Sequence, residues 1–170
     1  PLDQPKQWFR VSECVWSGEG AIVGKACLEP IYPDLAGLFV ECLEIPRLSL
    51  ALVYQELLAI DNTKSTIPYV KNLLWSLQAL LPPETGAGPV FADELASRPI
   101  FPVRMPDGSS KFLTALDDFA IIDRQHYADA LKNRIKFLGF TLDEVRRLKP
   151  LIEWAGLTDR YLSRSVVEQT

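Results

Sequence analysis

Residues 100–123 read Ile100-Phe101-Pro102-Val103-Arg104-Met105, Pro106-Asp107-Gly108, Ser109-Ser110, Lys111-Phe112-Leu113-Thr114, Ala115-Leu116-Asp117-Asp118, Phe119-Ala120-Ile121-Ile122 and Asp123. Two apolar runs flank Pro-Asp-Gly, a turn in which proline presets φ, aspartate bonds its own backbone and glycine accepts a left-handed conformation. The stretch predicts a β-hairpin followed by a strand over 119–122. A helix from Arg124 to Arg134, capped by Asp123, should come next, and 136–140 should form another short strand. Thr141-Leu142-Asp143-Glu144 then opens a helix, with Thr141 and Glu144 at the spacing of a capping box and Phe140 with Val145 at that of a hydrophobic staple. Leu142, Val145, Leu148, Ile152 and Ala155 continue its apolar face. Pro150 removes an amide and collides with the carbonyl four residues back, so this helix must kink or restart there. Gly156 ends it, and Thr158 is placed to cap a last helix carrying Tyr161, Leu162 and Val166.

The first half reads as helices. Pro33 suits a first helical turn, and Leu35, Leu38, Phe39 and Cys42 have the spacing of one inward face until Pro46. Ser49 caps a second helix with Leu50, Val53, Leu57 and Leu58 inward, ending near Asp61-Asn62. A third runs from Pro68 to Leu81 with Val70, Leu73, Leu74, Leu77 and Leu80 inward, and Pro82-Pro83 stops it. Before them, 9–16 reads as a short, imperfectly alternating strand. The prolines and glycines of 82–89 form the one credible linker, and 91–96 a short helix after it. The expected class is α+β and helix-dominated: a helical part over 1–82, a linker at 83–89, and a small antiparallel sheet with flanking helices over 90–170.

With 48% hydrophobic and 24% charged residues the chain is globular in composition. No apolar run nears the ~20 residues of a membrane span. The chain opens without an initiator Met or a basic-then-apolar leader, which predicts a piece of a larger product. Cys14, Cys27 and Cys42 are odd in number and widely spaced, the usage of a reducing, intracellular compartment, cytoplasmic or nuclear. Charge is uneven: six Lys/Arg face twelve Asp/Glu up to Ser97, and twelve face ten from Arg98 onward. The basic excess gathers at Lys132, Arg134, Lys136, Arg146, Arg147 and Lys149, but a pI near 5.1 opposes a nucleic-acid module.

Four constellations invite a chemical reading. Gly18-Glu19-Gly20-Ala21-Ile22-Val23-Gly24-Lys25 resembles a phosphate loop. Glu19 stands where that loop needs its first glycine, however, and Ala26 where it needs the Ser or Thr that holds magnesium. His126 is the only histidine, so multi-histidine metal binding is excluded, and the cysteines lack zinc spacing. A Cys/His nucleophile pair stays open because such partners meet in space, although a surface role suits His126 beside Tyr127. Asp117, Asp118 and Asp123 read as turn and cap residues. Finally, 142–166 has the outline of a helix-turn-helix, making Arg146, Arg147, Arg160 and Arg164 candidate interaction residues, while Asp159 and Glu168 on its second helix oppose phosphate contact.

The order of Cys14-Val15-Trp16, Tyr32-Pro33-Asp34-Leu35-Ala36-Gly37-Leu38-Phe39, Ile100-Phe101-Pro102-Val103-Arg104, Asp117-Asp118-Phe119-Ala120-Ile121-Ile122-Asp123-Arg124, Thr141-Leu142-Asp143-Glu144-Val145-Arg146-Arg147-Leu148-Lys149-Pro150-Leu151 and Leu157-Thr158-Asp159-Arg160-Tyr161-Leu162-Ser163 resembles a segment of very long fungal proteins. Those proteins carry an Hsp90-like ATPase region of the sacsin and NO VEIN type near their N-terminus, and the resemblance spans 14–167. The glycine motifs and the acidic magnesium residue of that ATPase have no counterpart in this sequence. The resemblance therefore implies a module beside the ATPase, a linking or client-contacting part of a chaperone-like machine. The expected function is a non-catalytic scaffold or protein-interaction module, with no cofactor and no metal. Its expected partners are other domains of the same long chain or another protein, with nucleic acid disfavoured and no membrane. The alternatives are a nucleic-acid-binding helix-turn-helix module and a small enzyme domain using His126 with a cysteine.

Overall fold

The computed structural model describes residues 8–17, 25–81, 93–131 and 133–165. The expected linker at 83–89, the glycine-rich 18–24, Lys132 and Val166 lie outside these residues. The expected strand at 9–16 is mostly something else: Val11–Glu13 is a 3-10 turn, and only Cys14–Val15 (β1) extends, pairing in parallel with Ala26–Cys27 (β2). Trp16 continues the line by bridging to Arg47. Cys14, Trp16, Leu28 and Ile45 bury one another, with Ala26, Ala36, Phe39 and Val40 packed around them. This small cluster is the core of an N-terminal lobe.

Ser49 starts the main body as expected, its hydroxyl accepting from the Leu52 amide at 3.2 Å to cap Leu50–Leu58 (α1). Thr66, which the sequence reading passed over, caps Ile67–Leu80 (α2) through the Tyr69 amide. Val53 and Leu57 on α1 and Val70, Leu73, Leu74 and Leu77 on α2 are fully inward, the spacing of an amphipathic stripe. A short helix, Asp93–Ala96 (α3), adds Leu95.

The hairpin forms with Phe101–Arg104 (β3) against Ser110–Leu113 (β4), pairing Phe101 with Leu113 and Arg104 with Ser110. Gln125–Leu131 (α4) follows, shorter than the expected 124–134. Phe137–Leu138 (β5) joins the other edge of β3, giving a three-stranded antiparallel sheet in the order β4-β3-β5. Gly139 donates to the Pro102 carbonyl at 2.7 Å, and a Cβ there would sit 3.0 Å from that oxygen, so the close crossing admits only glycine comfortably. The expected strand at 119–122 is instead a pair of single bridges. Ala120 bonds to the β5 side through Lys136 and Leu138, while Ile121 bonds to Arg160 and Leu162, so each side holds a partner for one residue only.

Thr141 and Glu144 make the full capping box of Leu142–Arg147 (α5), with amide to oxygen distances of 3.3 and 2.7 Å. The helix breaks at Leu148 and restarts as Lys149–Trp154 (α6), with Pro150 in the new first turn where its missing amide costs nothing. Gly156, at φ +68°, closes it. Thr158 is not a cap: it is the first residue of a 3-10 turn, Thr158–Arg160, ahead of Leu162–Ser165 (α7). One apolar core takes in α1, α2, the sheet, α5 and α6, so helices from the first half and strands from the second bury each other. Lys71 on α2 reinforces the contact, 3.3 Å from Glu144 and 4.4 Å from the Phe140 ring centre. No helix among the described residues is long and apolar enough to cross a membrane.

Candidate functional site

The lobe departs from ordinary winding at 33–45. A 3-10 turn, Pro33–Leu35, runs into Gly37–Cys42, a π coil in which amides reach five residues back, as Leu43 does to the Leu38 carbonyl at 3.0 Å. Glu44 then takes φ +52°, a left-handed conformation uncommon outside glycine, and the turn brings the Ile45 amide to the Phe39 carbonyl at 2.9 Å. Ile45 is thereby driven into the lobe core. The wider coil changes which residues face inward. Ala36, Phe39 and Val40 pack on the cluster, Phe39 against the rings of Trp16 (centroids 6.0 Å apart) and Tyr32 (5.4 Å). Ile31 (63% exposed), Tyr32 (44%), Leu35 (42%), Leu38 (46%) and Leu43 (42%) face out. The expected inward stripe is corrected accordingly: of its four members only Phe39 packs inward, while Leu35, Leu38 and Cys42 are exposed.

The electrostatics of this face are one-sided. Glu29, Asp34, Glu41 and Glu44 occur among these residues, and no Lys or Arg occurs from 28 to 46. Lys25, the last cation before this stretch, is committed elsewhere: its ammonium lies 2.9 Å from Glu56 on α1 and 3.2 Å from the Ser12 carbonyl. The Tyr69 hydroxyl donates to the same Glu56 carboxylate at 2.9 Å, so Lys25, Glu56 and Tyr69 clip the lobe to the body. Burial alone would raise the Glu56 pKa, but the bonds from Lys25 and Tyr69 outweigh it and hold the carboxyl below its ordinary range. Burial and the neighbouring carboxylate push the Tyr69 phenol up, keeping it a donor.

The four candidate arginines do not share one free cationic face. Arg160 is committed inside the fold: its guanidinium donates to the Ala115 carbonyl at 2.5 Å and to the Asp117 carbonyl, and stacks 4.4 Å over the Phe119 ring. Arg146 pairs with Asp143 at 3.3 Å and Arg164 with Asp159 at 3.9 Å, both on the surface. Arg147 is exposed on α5, and its carbonyl accepts from the Gln78 side chain. Of the four candidates, two are thus balanced by neighbouring carboxylates, one is internal and Arg147 has no ion pair among the described residues.

His126 is exposed on α4 with its ring 4.1 Å from Tyr127. Cys14 belongs to the buried lobe cluster, where its thiol donates to the Arg10 carbonyl, and burial followed by the Glu13 charge pushes its pKa up, away from a thiolate. Asp117 accepts from the amide and hydroxyl of Thr114 at 2.7 and 2.8 Å, the turn role expected of it. Asp123 takes the Ser163 amide at 3.3 Å, tying α7 across the chain. A shallow cleft lined by Asp123, Val145, Arg146, Lys149, Tyr161 and Ser163 opens beside it. Among the described residues no group of His, Cys, Asp and Glu is arranged to hold a metal ion.

The outward apolar face was missed by treating 33–46 as an α-helix with a single inward stripe. Two signals in the same residues point to it. Apolar side chains occupy every side of 31–45, more than one stripe can hide, and Gly37 weakens regular α winding in their midst.

The sequence profile of a family described as Domain of unknown function (DUF8348) matches residues 51–166, and the chain belongs to that family. The match takes in α1 through α7 and the antiparallel sheet. The lobe, with its exposed apolar face, lies upstream of it. No curated protein and no solved structure matches the chain.

Proposed function

We propose that this chain is a non-catalytic protein-interaction or scaffold module, and that its contact surface is the apolar face of 31–43. The observation that carries this reading is the concentration of outward apolar side chains. Ile31, Tyr32, Leu35, Leu38 and Leu43 stand on one short segment; the other large exposed apolar residues of the described chain are Trp8, Phe9 and Val11 ahead of β1, and Leu116. Scattered exposed apolar residues are ordinary, but a local concentration on an ordered backbone marks a surface that is covered in use. The coil is held in place from beneath by the Trp16 and Ile45 cluster, so it presents its side chains without having to be ordered by a partner. The unusual winding and the left-handed Glu44 support the same reading, because π turns and strained non-glycine residues gather at working sites.

The resemblance over 14–167 supports a context of the same kind, in which the module belongs to a larger, chaperone-like intracellular protein and contacts its other domains or another protein. A photo-reactive residue in place of Leu38 should capture a discrete partner in extracts of the source cells, and one in place of Glu94 on α3 should not. Identical capture from both positions would overturn the assignment of this face.

A further inference from the structure

We propose that the face at 31–43 receives a cationic amphipathic helix of another protein, an inference that rests on reading this face as a contact surface. Charge complementarity identifies the partner. Along the chain Glu29, Asp34, Glu41 and Glu44 are set among the apolar residues, the last three of them exposed, with no Lys or Arg between 28 and 46. Among the described residues none of these four carboxylates has an ion-pair partner, and no cation stands between them in the chain. A run of uncompensated carboxylates attracts Lys and Arg over roughly a Debye length, about 8–10 Å, and repels phosphates and anionic lipid. The long stems of Lys and Arg also cover apolar surface while their charged ends reach the carboxylates.

The form of the partner follows from what the lobe offers. β1 and β2 are two residues long, so an added strand would find little backbone to pair with. The face offers apolar side chains on a coil, which suits a helix that inserts anchors at i, i+3 and i+4. A second copy of this chain does carry exposed cations, Arg124, Arg134 and Arg147 among them, but they stand at the ends of the short helices α4 and α5 rather than along one amphipathic helix.

The test uses the whole chain and a synthetic amphipathic peptide of about 18 residues, roughly five helical turns, with Leu on one face and Lys on the other. Its counterpart carries Glu in place of Lys. The Leu/Lys peptide should bind in a titration, and the affinity should fall several-fold between about 50 and 150 mM salt. The double variant Leu35→Ser with Leu38→Ser should weaken binding about ten-fold or more, and Asp34→Asn with Glu41→Gln about five-fold. Glu94→Gln with Glu153→Gln, which changes net charge equally on the body, should leave it unaltered. Should the serine pair fail to fold, judged by the native near-ultraviolet signal, Ile31→Ser with Leu43→Ser replaces it.

Equal losses from the body pair would reduce the interaction to net charge and overturn the proposal. Equal or tighter binding of the Leu/Glu peptide at the same face would leave the contact surface standing and remove the cationic partner. Absence of binding, or binding indifferent to the serine variants, would remove both. Self-association that the serine pair abolishes would assign the face to a second copy instead.

Discussion

Helix α2 carries Val70, Leu73, Leu74 and Leu77 at no more than 1% exposure, while the coil at 33–43, no less apolar, holds Leu35, Leu38 and Leu43 at more than 40%. The difference is one of winding and neighbours. A capped α-helix repeats its apolar residues on one stripe, and the sheet with α5 and α6 supplies the opposite wall. The lobe has two-residue strands, a π coil and a small cluster beneath it, which covers one side of a segment that is apolar on all sides. The body therefore carries the folding energy and the lobe carries an unsatisfied surface. The experiments that bear most directly on this contrast make the same kind of change in each region.

The largest effect is expected at Leu77. It is fully buried on α2, and Leu77→Ala should cost about 2–5 kcal/mol in chemical denaturation, through lost transfer energy and the cavity left behind. A cost under about 1 kcal/mol would mean that the α2 stripe does not serve as the centre of the core.

Arg160 tests whether the cationic end belongs to the body or to a binding face. Arg160→Met keeps the apolar stem but leaves the Ala115 and Asp117 carbonyls without their charged donor, and should cost roughly 1.5–3 kcal/mol. Arg147→Met, on the exposed side of α5, should change stability by less than about 0.5 kcal/mol. Equal effects would erase the distinction drawn between them.

A smaller change is expected at the cap of α5. Thr141→Ala removes the acceptor of the Glu144 amide and should cost about 1 kcal/mol, seen as a shifted denaturation midpoint with an unchanged slope. An unmoved midpoint would show that the box contributes nothing.

How much could be read in advance follows the same division. The capping box, the Pro-Asp-Gly turn, the break at Pro150 and the stripes of α1 and α2 are local signals, each decided within a few residues, and each appears where the spacing places it. The two bridges at Ala120 and Ile121 depend on partners 17 and 40 residues away, at Phe137 and Tyr161, so an apolar tetrapeptide read as a strand is right in direction and wrong in kind. In the lobe the obstacle is of a different kind. Leu35, Leu38 and Cys42 fit an α stripe, but five-residue winding and the left-handed Glu44 rotate them outward, and neither can be inferred from a 3.6-residue period. The acidic excess is present in the charge count of the first half; the exposure of the apolar residues it accompanies is visible only in the structure. Arg160 illustrates the converse, a cation placed by sequence on an open helix and held by tertiary carbonyls.

The attachment of lobe to body should be sensitive to acid. The folded-state pKa of Glu56 lies below its ordinary value of 4.5, so the Lys25, Glu56 and Tyr69 clip contributes its full stabilisation above that value. The contribution is lost as pH falls through the lowered folded value, where Glu56 takes up a proton and releases Lys25. Amide exchange around β1, β2 and Trp16 should accelerate, relative to α2, below pH 4.5. Glu56→Gln should produce that pattern at neutral pH, and uniform acceleration in both regions would mean that the lobe has no separate stability.

The smallest effect is expected where the apolar residues are most exposed. Leu35→Ser with Leu38→Ser removes two large side chains, a change that inside α2 would unfold the protein. On the coil it withdraws little from the lobe core, because the residues packed beneath are Ala36, Phe39 and Val40. The unfolding free energy should move by no more than about 0.5 kcal/mol, and solubility should rise as apolar surface is lost. A cost of about 2 kcal/mol or more would place these leucines in a core and withdraw the surface on which both functional readings depend. A null effect on stability joined to a loss of partner capture would separate the two regions cleanly, since the same chemical change would then act on folding in one and on association in the other.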